Sequence, residues 1–220
     1  SSNTAIGFNA LYSNVGNSGT VAIGHNAMYY ADNRTSGIST YNTAIGYEAL
    51  KGSATAANNT GTSNTTIGYQ SLSSNTSGGG NLALGTTTML ANTSGERNTA
   101  LGTNSLQQNT TGSSNTAIGF QSLYKNSTAS SNISIGDQAM YNNLTGAYNI
   151  AIGRSAMLNS SQGDDNIAIG NAALQNVVTN GGGGGSWNIA IGKYAMQATT
   201  EGRGIGIGGE ALKSVTTGDF

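Results

Sequence analysis

The nine residues Asn3-Thr4-Ala5-Ile6-Gly7-Phe8-Asn9-Ala10-Leu11 return eleven more times along the chain. They reappear as TVAIGHNAM, NTAIGYEAL, NTTIGYQSL, NLALGTTTM, NTALGTNSL and NTAIGFQSL, then as NISIGDQAM, NIAIGRSAM, NIAIGNAAL, NIAIGKYAM and GIGIGGEAL. The motif glycines are Gly7, Gly24, Gly46, Gly68, Gly85, Gly102, Gly119, Gly136, Gly153, Gly170, Gly192 and Gly208. Most are 17 residues apart; three spacings are 22 and the last is 16. A fixed short period of this kind marks a stacked repeat. Seventeen residues are too few for a helix pair, and Thr, Ile and Gly disfavour helix in the first half of each motif. Each copy therefore reads as one coil of a parallel β-solenoid. A short strand N-[TI]-A-I-G leads to a second extended piece ending in [AS]-[LM], and a polar turn closes the coil. The coils begin near 3, 20, 42, 64, 81, 98, 115, 132, 149, 166, 188 and 204, so residues 1–220 form a single repeat domain. Stacked at ~4.8 Å, twelve coils make a rod of roughly 55–60 Å.

Composition agrees with an ordered, fibrous chain. Gly, Ser, Thr and Asn supply 34, 26, 27 and 28 of the 220 residues, and only 8% are charged. Disorder of the usual kind would add net charge and Pro; here the net charge is −1 and there is no Pro. The absence of Cys excludes disulfides and thiolate metal sites. Near-zero net charge gives no footprint for nucleic acid or anionic lipid, and no apolar run reaches the ~18 residues that span a bilayer. The chain starts at Ser1, and we expect a segment of a longer fibre.

Period-2 alternation divides each strand into two faces. Thr4 and Ile6 share one; Asn3, Ala5 and Gly7 share the other. The columns of Ile6, Ile45 and Ile118 and of Leu11, Leu50 and Leu123 hold large apolar residues throughout, and are expected inside the coil. The Ala/Gly stripe is then left on the surface, where several chains pack it together. About two large apolar side chains per coil are little against an ordering cost of ~1–2 kcal/mol per residue, so a homotrimer, intertwined or side by side, is expected. Asn3, Asn42 and Asn115 belong to a column that opens ten of the twelve motifs. Stacked Asn side chains bond along such a column. Gly recurs ten residues after the motif Gly, at Gly78, Gly95, Gly112, Gly146 and Gly163, where a turn of positive φ is expected.

At these residues the chain resembles two groups of fibrous proteins. NTAIGxxAL repeats are similar to the head domains of trimeric autotransporter adhesins and, more closely, to repeats of phage tail-fibre proteins. The resemblance spans essentially the whole chain. It implies a left-handed parallel β-roll, a homotrimer, and a virion or cell-surface location at which the protein attaches to a host cell through surface glycans or another receptor. A bacterial adhesin head is the alternative within this class. An ice-binding solenoid is a more distant one, since Thr4, Thr43, Thr65, Thr99 and Thr116 align but give way to Ile from Ile133 onward.

Catalysis, metals and cofactors are not expected. The single His, His25, lies in a variable column with Phe8, Tyr47, Tyr69 and Phe120. Asp164 and Asp165 are adjacent in a turn, unlike the facing carboxylates of glycan hydrolases. Gly181 to Gly185 lack the Lys-Ser/Thr of a phosphate loop. Recognition is the remaining chemistry. Insertions on a rigid scaffold commonly carry function, and the long coils bring Tyr29, Tyr30, Arg34, Tyr41 and Trp187. Aromatic ring faces and an Arg fork suit sugars, so these five are the candidate glycan contacts.

Overall fold

The computed structural model describes residues 2–31, 38–177, 185–199 and 202–215. Each motif contributes a three-residue strand: Thr4–Ile6, Val21–Ile23, Thr43–Ile45, Thr65–Ile67, Leu82–Leu84, Thr99–Leu101, Thr116–Ile118, Ile133–Ile135, Ile150–Ile152, Ile167–Ile169, Ile189–Ile191 and Ile205–Ile207. They form one parallel sheet of twelve strands in motif order. The register never slips: Ala5 pairs with Ala22, Ala44 with Thr66, and Ala151 with Ala168. The chain is a parallel β-solenoid, and like positions of every motif stack into columns.

The faces are the reverse of the expectation. The middle residue of the strand points inward: Ala22, Ala44, Ala83, Ala100, Ala117, Ala151, Ala168 and Ala190 are all 0% exposed. The Ile column points out, with Ile6 59% exposed and Ile152, Ile169 and Ile191 each 37%; Ile45 and Ile118 are half-buried on the same outer face. The inner partners of the Ala column are Leu11, Leu50, Leu123 and their equivalents, which are buried as expected. Size explains the inversion. Leu or Met reaches across the coil from the opposite wall, and only a small residue, Ala in most coils, leaves room for it at native packing density. Where Thr66 or Ser134 replaces Ala, its hydroxyl is bonded, to Ser71 Oγ (2.6 Å) and Ala139 O (2.9 Å), as burial of a polar group demands. The Ala column of the Ala/Gly stripe is buried inside its own chain and cannot be the surface that joins chains, while the motif glycines beside it, from Gly24 to Gly192, are half-buried.

After the strand the chain turns rather than extends. The second piece, expected to be extended, consists of turns in which Asn9 and Leu11 take φ of 56°. Every later motif repeats this left-handed pair, down to Glu210 and Leu212. Leu rarely adopts such a backbone. Here inter-coil bonds hold it, as in Leu11 N–H to Ala27 O (3.0 Å) and Leu123 N–H to Ala139 O (2.9 Å).

The motif glycine is required by contact as well as by conformation. Gly119 has φ of 129°, and a Cβ there would sit 2.5 Å from Gly136 O. The later glycines differ from their expectation. Gly78, Gly95, Gly112, Gly146 and Gly163 are not at positive φ; a Cβ on Gly95 would instead meet Gly112 O and Asn92 Oδ1 at 2.4 Å. The left-handed turn residue comes two positions later, as Gly80, Arg97, Ser114, Ser131, Tyr148 and Asp165.

Two asparagine columns fasten the polar edge. Asn115 accepts the Asn132 N–H at Oδ1 (3.0 Å) and donates from Nδ2 to Ala129 O (2.9 Å). Asn42 does the same with the Asn64 N–H and Gly61 O, and Asn3 with the Thr20 N–H and Asn17 O. A second column, Asn75, Asn92, Asn109, Asn126 and Asn143, passes Nδ2–H to the preceding Oδ1 at 2.8–3.2 Å.

Candidate functional site

In the repeat alignment the extra residues of all three long coils follow one position, three residues past the buried Leu or Met: after Ala31, Ser53 and Val177. Residues 32–37 and 178–184 lie outside the described residues. Among the described residues the second insertion forms a short 3-10 turn, Ala56–Asn58. Asn59 ties it down, accepting the Ser53 N–H (2.9 Å) and donating to Ser53 O (2.9 Å) and Tyr30 O.

The candidate residues are distributed over different corners. Tyr29 stacks on Tyr12 (centroids 5.0 Å, 7° between planes), and Tyr30 meets Tyr29 edge-on at 4.6 Å. Both stand just before the first insertion. Tyr41 (66% exposed) and Trp187 (56%) instead occupy the left-handed position that precedes the motif Asn, with φ of 52° and 60°. That column also displays Tyr148, which sequence reasoning passed over. The Tyr41 ring covers Gly19, and Arg203 lies over Trp187 at 5.5 Å. Arg34 falls outside the described residues. Tyr29 and Tyr30 thus meet each other, while Tyr41 and Trp187 share a ridge several coils apart. A cavity of about 20 Å³ beside Tyr30, Met28, Leu50 and Asn59 has room for a water molecule and not for a sugar ring.

The variable column after the motif glycine is a stacked ladder. Phe8 lies on His25 (5.4 Å), His25 on Tyr47 (5.1 Å) and Tyr47 on Tyr69 (5.2 Å), with planes within 19°. Tyr124 and Tyr141 make a similar pair at 5.0 Å. Such stacks bind coil to coil and turn ring edges to solvent. Beside this ladder Lys51 Nζ contacts Glu48 Oε1 at 2.8 Å, and Gln70 donates to Glu48 Oε2 (2.9 Å). The Lys51 bond leads in holding the Glu48 carboxyl below its usual range.

Asp164 does not face a second carboxylate. Its Oδ1 accepts the Ala147 N–H (2.8 Å), while Asp165 is a left-handed turn residue. Among the described residues no group of three His, Asp or Glu side chains is gathered where it could hold a metal, and no helix is long and apolar enough to cross a membrane.

Two further surface features stand out among the described residues. One is the sheet's outer face, two columns of Thr, Val, Leu and Ile without a charge across twelve strands. The other is a polar groove of about 260 Å³ lined by Arg154, Ser155, Asn171, Ala172, Gln175, Tyr194 and Gln197. Comparisons with protein-family models, curated proteins and solved structures returned no match.

Proposed function

We propose that the chain is a segment of a homotrimeric surface fibre, of the phage tail-fibre kind, that attaches a particle to cell-surface glycans. The observation that carries this reading is the outer sheet face. It is in register and free of charge over roughly 50 Å of rod, about 10 Å wide. A continuous uncharged strip of Thr, Val, Leu and Ile, roughly 500 Å² in all, lies at the upper end of what a monomer leaves open, and patches of that size often serve as interaction surfaces. Its occupant is a second and third copy of the chain: the matching length and the lack of any charge suit a partner of the same repeat. The trimer contact moves from the Ala/Gly stripe to the Ile/Thr face, and large residues on that face then have the cover that doubly apolar strands require.

The segment is not an enzyme in this reading, and needs no cofactor or metal. It contributes rigidity and repeated display. Threefold symmetry repeats each surface feature, and avidity lifts weak sugar binding without new contacts. Tyr29, Tyr30, Tyr41 and Trp187 are its aromatic contacts. Trimming each 22-residue coil to 17 and measuring adsorption to host cells tests the loops: lost adsorption supports them, and unchanged adsorption makes this segment a shaft.

One observation favours a second reading. Thr43, Thr65, Thr99 and Thr116 stand on the outer face beside an Ile or Leu two residues on, in strict register. Rows of Thr with Ile or Leu two residues on, interrupted at Leu82, are the part of this face that suits ice. Thermal hysteresis of the purified chain would support that reading and count against the fibre.

A further inference from the structure

We infer that the groove across the ninth to eleventh coils is a binding site for a carboxylate-bearing saccharide, a uronate unit of an acidic polysaccharide. This rests on the reading of the chain as a glycan-recognising segment and gives that reading a ligand class and a second place.

The groove has a cause in the sequence. The second residue after the motif glycine runs Gln70, Thr87, Asn104, Gln121 and Gln138, then shrinks to Ser155 and Ala172 before Tyr194. Two small residues between Gln138 and a Tyr open a gap two coils wide on an otherwise filled column. Tyr194 makes its far wall. Gln175 and Gln197 line the side, joined by a 2.9 Å bond from Gln197 Nε2 to Gln175 Oε1. That bond leaves the second N–H of Gln197, the Gln175 amide donors and the remaining lone pairs for hydroxyl groups. Ser155 and Asn171 add a hydroxyl and an amide.

The charge is unusual for this chain, which has only eight basic residues. Arg154 lines the groove, and Lys193 and Lys213 lie 5.0 and 5.1 Å from the Tyr194 ring centre. Lys213 is partnered by Glu210 at 3.4 Å. Asp137 precedes Arg154 in its column but makes no ion pair with it, and Arg154 has no hydrogen-bond or salt-bridge partner among the described residues. A free guanidinium beside a row of amides is the donor set for one carboxylate and its neighbouring hydroxyls. A neutral sugar would leave the Arg154 fork unused. An acidic peptide would leave the amides without hydroxyls to bind.

Titration calorimetry on the whole chain tests this with three probes: an oligogalacturonate, a neutral galacto-oligosaccharide of equal length and polyglutamate. The oligogalacturonate is expected to bind at least about tenfold more tightly than either control, the worth of one charge-assisted contact, and to weaken with salt. Arg154→Gln should weaken it by about the same factor. Ala172→Gln restores the size found at Gln121 and Gln138, whose backbone φ of 51° and 54° matches the 53° of Ala172; it should abolish binding with the thermal transition unchanged. Equal binding of the neutral sugar or of polyglutamate, no uronate binding, or indifference to both substitutions would overturn the assignment. Affinity and cell adsorption together separate the two readings. Uronate affinity untouched by both substitutions removes the groove alone, whereas uronate binding without adsorption to any cell removes the fibre reading alone.

Discussion

Asn143 and Ser160 occupy the same position in consecutive coils, and the Oδ1 of the one and the Oγ of the other are both buried without a partner. The asparagine column that runs from Asn75 ends here because serine is too short to continue it. Ser160→Asn should extend the ladder by one bond. A net gain of about 0.5–1.5 kcal/mol is expected from a buried hydrogen bond that also satisfies an orphan acceptor, read as a higher urea midpoint. A lower midpoint would mean that the column ends for want of space.

The motif glycine should be the least replaceable residue of each coil. Gly119→Ala brings a Cβ to 2.5 Å from Gly136 O at a φ of 129°, and a loss of roughly 2–4 kcal/mol is expected from strain and clash together. Gly209→Ala is the control, since no atom lies within 4 Å of its added carbon. Thermal melts of the two variants should differ by many degrees.

Ala117 is 0% exposed between Ala100 and Ser134. Ala117→Leu should cost about 1–3 kcal/mol by overpacking. Because the cost lies within one chain, it should appear in unfolding at every protein concentration. A loss that vanishes on dilution would return the Ala stripe to the interface between chains.

Acid should act through Glu48. Its carboxyl titrates below the ordinary range, chiefly because of Lys51, so its contribution is complete above the usual glutamate pKa and fades as pH falls through the lower folded value. The Lys51 shift is upward, so its share is present below the ordinary lysine range and fades only as pH rises above it. Glu48→Gln should therefore lower the midpoint at neutral pH and make little difference in strong acid. An equal deficit at both would assign the loss to packing.

The repeat made the coil count, the strand positions and the register legible before any coordinates, because twelve copies average out local ambiguity. Alternation also separated Ala117 from Ile118 correctly. Which face was inner was not legible, since the rule that large residues go inside fails in a coil too narrow for Ile opposite Leu123. The left-handed backbone at Leu11 and Leu123 was hidden for another reason: Leu carries no local signal for it, and only the bonds of the neighbouring coil select it. The Asn75–Asn143 column read as polar turn for the same lack of local signal. The groove at Arg154 could have been found by following the column that dwindles to Ser155 and Ala172. Tyr29 and Tyr41 were grouped by nearness in sequence, whereas a solenoid brings together residues one period apart.

The cover of the Ile/Thr face decides between a fibre trimer and a single chain. Sedimentation equilibrium of the intact chain should give three times the 22.1 kDa chain mass, and Ile152→Glu with Ile169→Glu, on the exposed face, should reduce it to one chain whose β-sheet circular dichroism is kept. A single-chain mass for the unmodified protein, or a trimer that survives both glutamates, would contradict a trimer joined through this face.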